Sequence, residues 1–170
     1  MAGAHADLHA RKIMIAMDGG PESWYAVKWG IENVVRFGDN VLILYVGPKE
    51  EETGDYSAKA LMWEKGGTPF IPLMEFGSLA SFGLKGFTPE LLAELEQLSK
   101  DLKLTIFAQV YFGNAKEKIV TAAEQNGTDL IVIGHRGLGK FQRLFSGSVS
   151  AHVVEETDCP VVVVKLPREK

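Results

Sequence analysis

Five short apolar runs recur along the chain: Lys12 to Met17 (KIMIAM), Val41 to Val46 (VLILYV), Leu104 to Val110, Asp129 to Gly134 (DLIVIG) and Val161 to Val164. Runs this short are too brief for helices, and apolar side chains at odd and even positions alike imply strands buried on both faces. The stretches between them carry helical spacing. Val27, Ile31, Val34 and Val35 mark a helix from Pro21 to about Phe37, with Trp24 and Trp29 as its packing anchors. Pro21 suits a first helical turn and Glu22 offsets the helix dipole there. Thr88-Pro89 opens a second helix with one apolar face (Leu91, Leu92, Leu95, Leu98, Leu102). A third spans Ala115 to Gln125 and is stopped by Gly127; a fourth runs from about Ser146 to Thr157. Apolar strands alternating with amphipathic helices predict an α/β fold: a Rossmann-like, doubly wound sandwich around a five-stranded parallel sheet. In such sheets ligands sit outside the carboxyl ends of the strands, where the strand order reverses.

A chain of 170 residues fits one domain, 1–170, since a domain takes roughly 100–200 residues. Lys plus Arg number 18 against 22 Asp plus Glu, a net charge of −4 with no basic block, which disfavours nucleic acid and anionic membranes as partners. No apolar stretch approaches the roughly 20 residues of a bilayer-spanning helix. The beginning, MAGAHADLHARK, lacks a basic head followed by an apolar run, and residues 1–10 are expected to be a flexible tail. Cys159 is the single cysteine, so no intrachain disulfide forms; a cytoplasmic, reducing location is expected. It is read as a small buried apolar residue before Pro160.

Gly47 to Gly86 breaks the pattern with seven glycines, three prolines, the acidic cluster Glu50 to Glu52 and scattered aromatics. A segment this long without periodicity reads as an insertion (47–86) packing locally on the surface, with a short helix near Lys59 to Lys65.

Between the fourth strand and the last helix, Gly134 to Ser150 reads GHRGLGKFQRLFSGSVS. Glycines at 134, 137, 139 and 147 let the main chain turn tightly and present N–H groups to an anion, and a following helix start adds unpaired donors. Arg136, Lys140 and Arg143 add positive charge. By composition alone, a plain glycine turn with a basic surface remains an equal reading. Three familiar phosphate motifs fail. Gly134 to Lys140 fits G-x4-G-K, but Phe141 stands where the P-loop needs a hydroxyl for Mg²⁺. The dinucleotide spacing G-x-G-x-x-G is absent. The first loop, Asp18-Gly19-Gly20-Pro21-Glu22-Ser23, approaches the SGGxDS loop of AMP-forming ATP pyrophosphatases, but Asp18 would repel the phosphate.

The spacing Gly134-x2-Gly137-x9-Gly147-Ser148, with KIMIAMDG before it and SVSAHVVEETDCPVVVVK after it, resembles the universal stress protein family. The likeness covers the chain apart from the tail and the insertion, and is nearest to plant-type members of the nucleotide-binding branch. It implies the adenine nucleotide alpha hydrolase-like variant of the fold and an ATP or AMP site, with Mg²⁺ accompanying ATP. Carried over by position, Gly137, Gly147, Ser148 and Val149 would meet phosphates, Arg136 would add charge, and Gly134 would lie against the ribose. Asp18 would take hydrogen bonds from ribose or adenine, main-chain groups at Val46 would read the adenine edge, and Ala16 and Ile133 would line the pocket. Gly20 stands where the family often has a serine. The resemblance also implies a homodimer paired through the last strand, Val161 to Val164.

Catalytic machinery is not evident. His135 is the histidine nearest the glycine loop and reads as a solvent-facing loop side chain, with a general base as the minority role. His152 falls inside the last helix. Ser146, Ser148 and Ser150 lack an evident His–Asp partner, and no His, Cys or carboxylate cluster has metal-ligand spacing. The first expectation is a nucleotide-binding stress or signalling module with at most slow ATP hydrolysis. The alternatives are an interaction protein acting through the insertion, and an AMP-forming pyrophosphatase-type enzyme.

Overall fold

The computed structural model describes residues 10–47, 66–82, 87–135 and 147–167. Strand β1 (Lys12–Met17) leads to helix α1 (Pro21–Asn33) and β2 (Asn40–Gly47). A two-residue strand β3 (Ile71–Pro72) and a 3₁₀ segment (Leu73–Phe82) follow. The chain continues through α2 (Pro89–Asp101), β4 (Thr105–Phe112), α3 (Ala115–Gln125), β5 (Leu130–His135), α4 (Gly147–Glu156) and β6 (Val161–Lys165). The sheet order is β3-β4-β2-β1-β5-β6. Every pairing is parallel except β3 on β4. The α/β, Rossmann-like expectation therefore holds.

The expected five strands are six, and the sixth comes from the supposed insertion. Without a neighbour, the outer edge of β4 would present a row of unpaired main-chain groups. Ile71 and Pro72 pair with Ala108 and Phe107 along that edge, and proline is tolerated at a sheet edge. Thr68 extends the cover: its N–H donates to the Val110 carbonyl at 2.9 Å and its Oγ1 accepts the Val110 N–H at 3.0 Å. The segment makes this turn through Gly67, whose φ of +71° favours glycine. A Cβ there would fall 2.4 Å from the Tyr111 ring.

Each strand feeds two cores because alternate side chains point to opposite faces. Ile13, Ile15 and Met17 of β1 pack with Val27 and Ile31 of α1, Leu95 of α2, and Phe76 and Leu79 of the 3₁₀ segment. Met14 and Ala16 pack on the other face with Ile119 and Ala122 of α3 and Val149 and Val153 of α4. Phe76 and Leu79 are fully buried, so these two residues belong to the main core and the expectation of a surface insertion is corrected there. The expected helix at Lys59 to Lys65 lies outside the described residues, as does the tail up to residue 9.

Local chemistry places the helix ends. Thr88 accepts the Leu91 N–H at 3.2 Å and Asn114 accepts the Lys116 N–H at 3.0 Å, each satisfying a donor that a helix start leaves unpaired. Gly127, at φ +58°, stops α3. Helix α1 ends at Asn33 rather than near Phe37. Trp24 and Trp29 pack against the core as anchors, and Trp24 meets Phe87 edge-on with ring centroids 4.4 Å apart. Cys159 is partly rather than fully buried. Burial is the first cause pushing its thiol pKa up.

Candidate functional site

The strand order reverses between β1 and β5. From β1 the chain first builds outward through β2 and β4, then crosses to the far side of β1 for β5 and β6. Ala16 pairs with Leu44 on one side and with Ile133 on the other, so the carboxyl ends of β2, β1 and β5 lie side by side. A crevice opens at such a reversal because the connections on its two sides leave in opposite directions.

Asp18 immediately follows β1, and its Oδ1 accepts the Gly20 N–H at 2.8 Å. Ser23, on the first turn of α1 and 2 % exposed, holds its hydroxyl 2.9 Å from Asp18 Oδ1 and 2.9 Å from the Gly20 carbonyl. The Asp18 N–H donates back to Ser23 Oγ at 3.3 Å. Among the described residues the carboxylate is thus held by the Gly20 N–H and the Ser23 hydroxyl, the second of which the sequence does not announce outright. A carboxylate followed by a hydroxyl five residues on, across a turn into a helix, was the signal available. Tyr45, near the end of β2, has its phenol pKa raised, first by burial and then by the negative charge of Asp18.

Across the crevice, β5 ends at His135 and α4 begins at Gly147. His135 is half-buried, with Nδ1 3.4 Å from the Oγ of Ser150. The expectation of a solvent-facing loop side chain is corrected: His135 is the last residue of the strand and packs on the first turn of α4. Ser150 accordingly has a histidine neighbour that the sequence did not reveal. Ser148 is exposed at the start of α4, Val149 is buried and Gly134 is buried within β5. The amino end of α4, the positive end of its dipole, stands beside the end of β5, where His135 meets Ser150.

Asp18, Gly134, Gly147, Ser148 and Val149 therefore gather at one end of the sheet. Ala16, Val46 and Ile133 have no exposed surface and form part of the packed layer on the α3–α4 face. Arg136 and Gly137 lie outside the described residues. Among the described residues there is no group of three or more His, Cys, Asp or Glu side chains able to hold a metal ion. No described helix is long and apolar enough to cross a membrane.

A mostly parallel sheet reversing beside β1, an aspartate after that strand and a glycine-led helix after the fifth define a doubly wound α/β protein, a class whose ligands sit at the strand ends where the order reverses. The sequence profile of the universal stress protein family matches residues 9–69 and 71–165. The chain belongs to that family. It is 31% identical over 162 residues to universal stress protein MJ0531 of Methanocaldococcus jannaschii, covering 94% of this chain and 85% of that one. It is 29% identical over 168 residues to universal stress protein PHOS32 of Arabidopsis thaliana, covering 94% of this chain and 66% of the length of that protein. A solved universal stress protein family protein from Arabidopsis thaliana with AMP bound superposes with a TM-score of 0.55 at 21% identity, covering 92% of each chain.

Proposed function

We propose that the chain is an adenine-nucleotide-binding stress or signalling module that takes ATP or AMP in the crevice beside β1. The observation that carries this reading is the juxtaposition of Asp18 with the amino end of α4 across the β1/β5 reversal. The two ends suit opposite parts of one ligand. An ionised carboxylate accepts hydrogen bonds from ribose hydroxyls or the adenine amine and repels phosphate. The helix start, with Ser148 and main-chain N–H groups, favours the phosphates. The spacing Gly134-x2-Gly137-x9-Gly147-Ser148 supports phosphate contact by the connecting loop, with Arg136 adding charge. The bound AMP of the related Arabidopsis structure supports the ligand class.

Main-chain groups at Val46 would read the adenine edge, and the buried Ala16 and Ile133 would back the pocket from within the packed layer. Mg²⁺ would accompany ATP through the phosphates, since no protein cage for a metal occurs among the described residues. Hydrolysis would be slow at most, because His135 is engaged with Ser150 rather than aimed by a carboxylate. We further propose a cytoplasmic homodimer joined through β6, whose edge carries half-buried Val161, Val162 and Val163. Native mass spectrometry with and without added Mg-ATP tests the reading. The expected species is a dimer with one adenine nucleotide per chain. A bare chain under both conditions would overturn nucleotide binding.

A further inference from the structure

A second concave surface lies at the opposite end of the sheet from the crevice. It is a groove of about 380 Å³ bounded by the amino ends of β1 and β2 and the carboxyl end of α3. Its size falls within the roughly 300–1,000 Å³ of small-molecule sites, which are mostly apolar with a few placed polar groups.

The apolar part is aromatic. Phe107 of β4 and Leu42 of β2 are half-buried beneath it, and Phe70 stands over it with 53% of its surface exposed. The Phe70 and Phe107 rings are 5.7 Å apart and tilted by 40°, so a flat apolar body can stack or pack edge-on against either.

Part of the polar lining is unspent. Asn40 and Thr128 border the groove, and neither side chain has a hydrogen bond to another described residue. Asn126 spends its amide nitrogen on Gln109 Oε1 and the Ala122 carbonyl, so the donors left to the groove are those of Asn40, Thr128 and Lys12. Lys12 supplies the one formal charge of the lining. The carboxylates nearest in the chain are occupied: Asp39 holds Arg11 and the Arg36 N–H, and Asp129 accepts the Lys12 main-chain N–H. Among the described residues no carboxylate pairs with the Lys12 ammonium. The carboxyl end of α3 would disfavour an anion, but three of its carbonyls already accept from Asn126, Gly127 and Thr128 N–H groups.

From this arrangement we infer a second ligand site, separate from the proposed nucleotide crevice, for a small planar aromatic carboxylate: ring on Phe70 and Phe107, carboxylate at Lys12 with the donors of Asn40 and Thr128 beside it. Binding is non-covalent.

The test is an amide NMR titration of the full chain with 2-naphthoate, and in parallel with uncharged 2-naphthylmethanol. The expected shifts cluster at the starts of β1 and β2 and around Gln125 to Thr128, leaving Asp18 and Gly134 unmoved. Lys12→Met should weaken 2-naphthoate about tenfold, the scale of one charge-assisted contact, and leave the alcohol unchanged. Phe70→Ala, at an exposed position, should weaken both. Absence of shifts, or shifts confined to the carboxyl ends of the strands, would overturn the site. Equal affinity of Lys12→Met and the parent for 2-naphthoate would overturn its preference for anions.

Discussion

The hydroxyl of Ser23 stands 2.9 Å from Oδ1 of Asp18, joining the first turn of α1 to the residue that leaves β1. Gly20 occupies the place of a frequent family serine and has no side chain to offer, yet its N–H and carbonyl are both drawn into the same knot. Asp18 is thereby held in one orientation at the carboxyl end of β1, ready for the nucleotide proposed above. Such preorganisation saves the entropy of fixing the carboxylate on binding.

If Ser23 acts through Asp18, Ser23→Ala should weaken AMP binding about threefold to tenfold, the cost of one lost positioning hydrogen bond. In an Asp18→Ala background the same change should cost nothing further. Calorimetry on the four proteins of this cycle separates positioning from general destabilisation, which would show equally in both backgrounds.

Gly147→Val places a β-branched side chain at the first residue of α4. The circular dichroism should stay unchanged while ATP and AMP binding is lost. Unchanged affinity, measured by the same calorimetry, would remove the phosphate role from this helix start.

Val163→Asp sets a charge on the open edge of β6, where two copies of an apolar strand would otherwise pair. Sedimentation should show monomer or insoluble protein. A well-folded dimer would place the interface elsewhere.

Phe76 is fully buried and Met74, two residues earlier, is 84% exposed. Phe76→Ala should cost about 3–5 kcal/mol of unfolding free energy. Met74→Ala should stay within about 0.5 kcal/mol, as surface changes do. Urea denaturation measures both, and a small loss at Phe76 would mean the 3₁₀ segment is not part of the cooperative core.

Tyr45 carries a phenol pKa raised from 10.0, by burial first and by Asp18 second. Below the ordinary value both folded and unfolded chains keep the proton, and this group's contribution is fully present. As pH climbs through that value the unfolded chain ionises first and binds fewer protons, so stability falls toward the raised folded pKa. Tyr45→Phe should flatten this alkaline decline in urea midpoints, which sets in as pH rises through about 10, a tyrosine's ordinary pKa. Asp18→Asn should lower the folded Tyr45 pKa and soften it partly.

The parallel core was legible because its determinants are local. Ile13 to Met17 and Leu130 to Ile133 are apolar at every position, and only strands buried on both faces require that. Thr88, Asn114 and Gly127 announce helix ends by their own side chain or by its absence. Asp18 and the glycines at 134 and 147 could be named as site candidates because turn chemistry is written in residue types. The segment from Gly66 to Phe82 was illegible for the opposite reason. Phe76 and Leu79 are three residues apart on a short 3₁₀ turn, and Ile71–Pro72 is too brief for alternation to register. Their burial is decided by the open edge of β4 and the space beside α1 and α2, surfaces that exist only after the sheet has formed. The same holds for His135 resting on Ser150 and for Lys12 bordering a groove beneath Phe70. Residues far apart in sequence meet there because the β1/β5 reversal and the packing of α3 bring them together, and no local pattern encodes that distance.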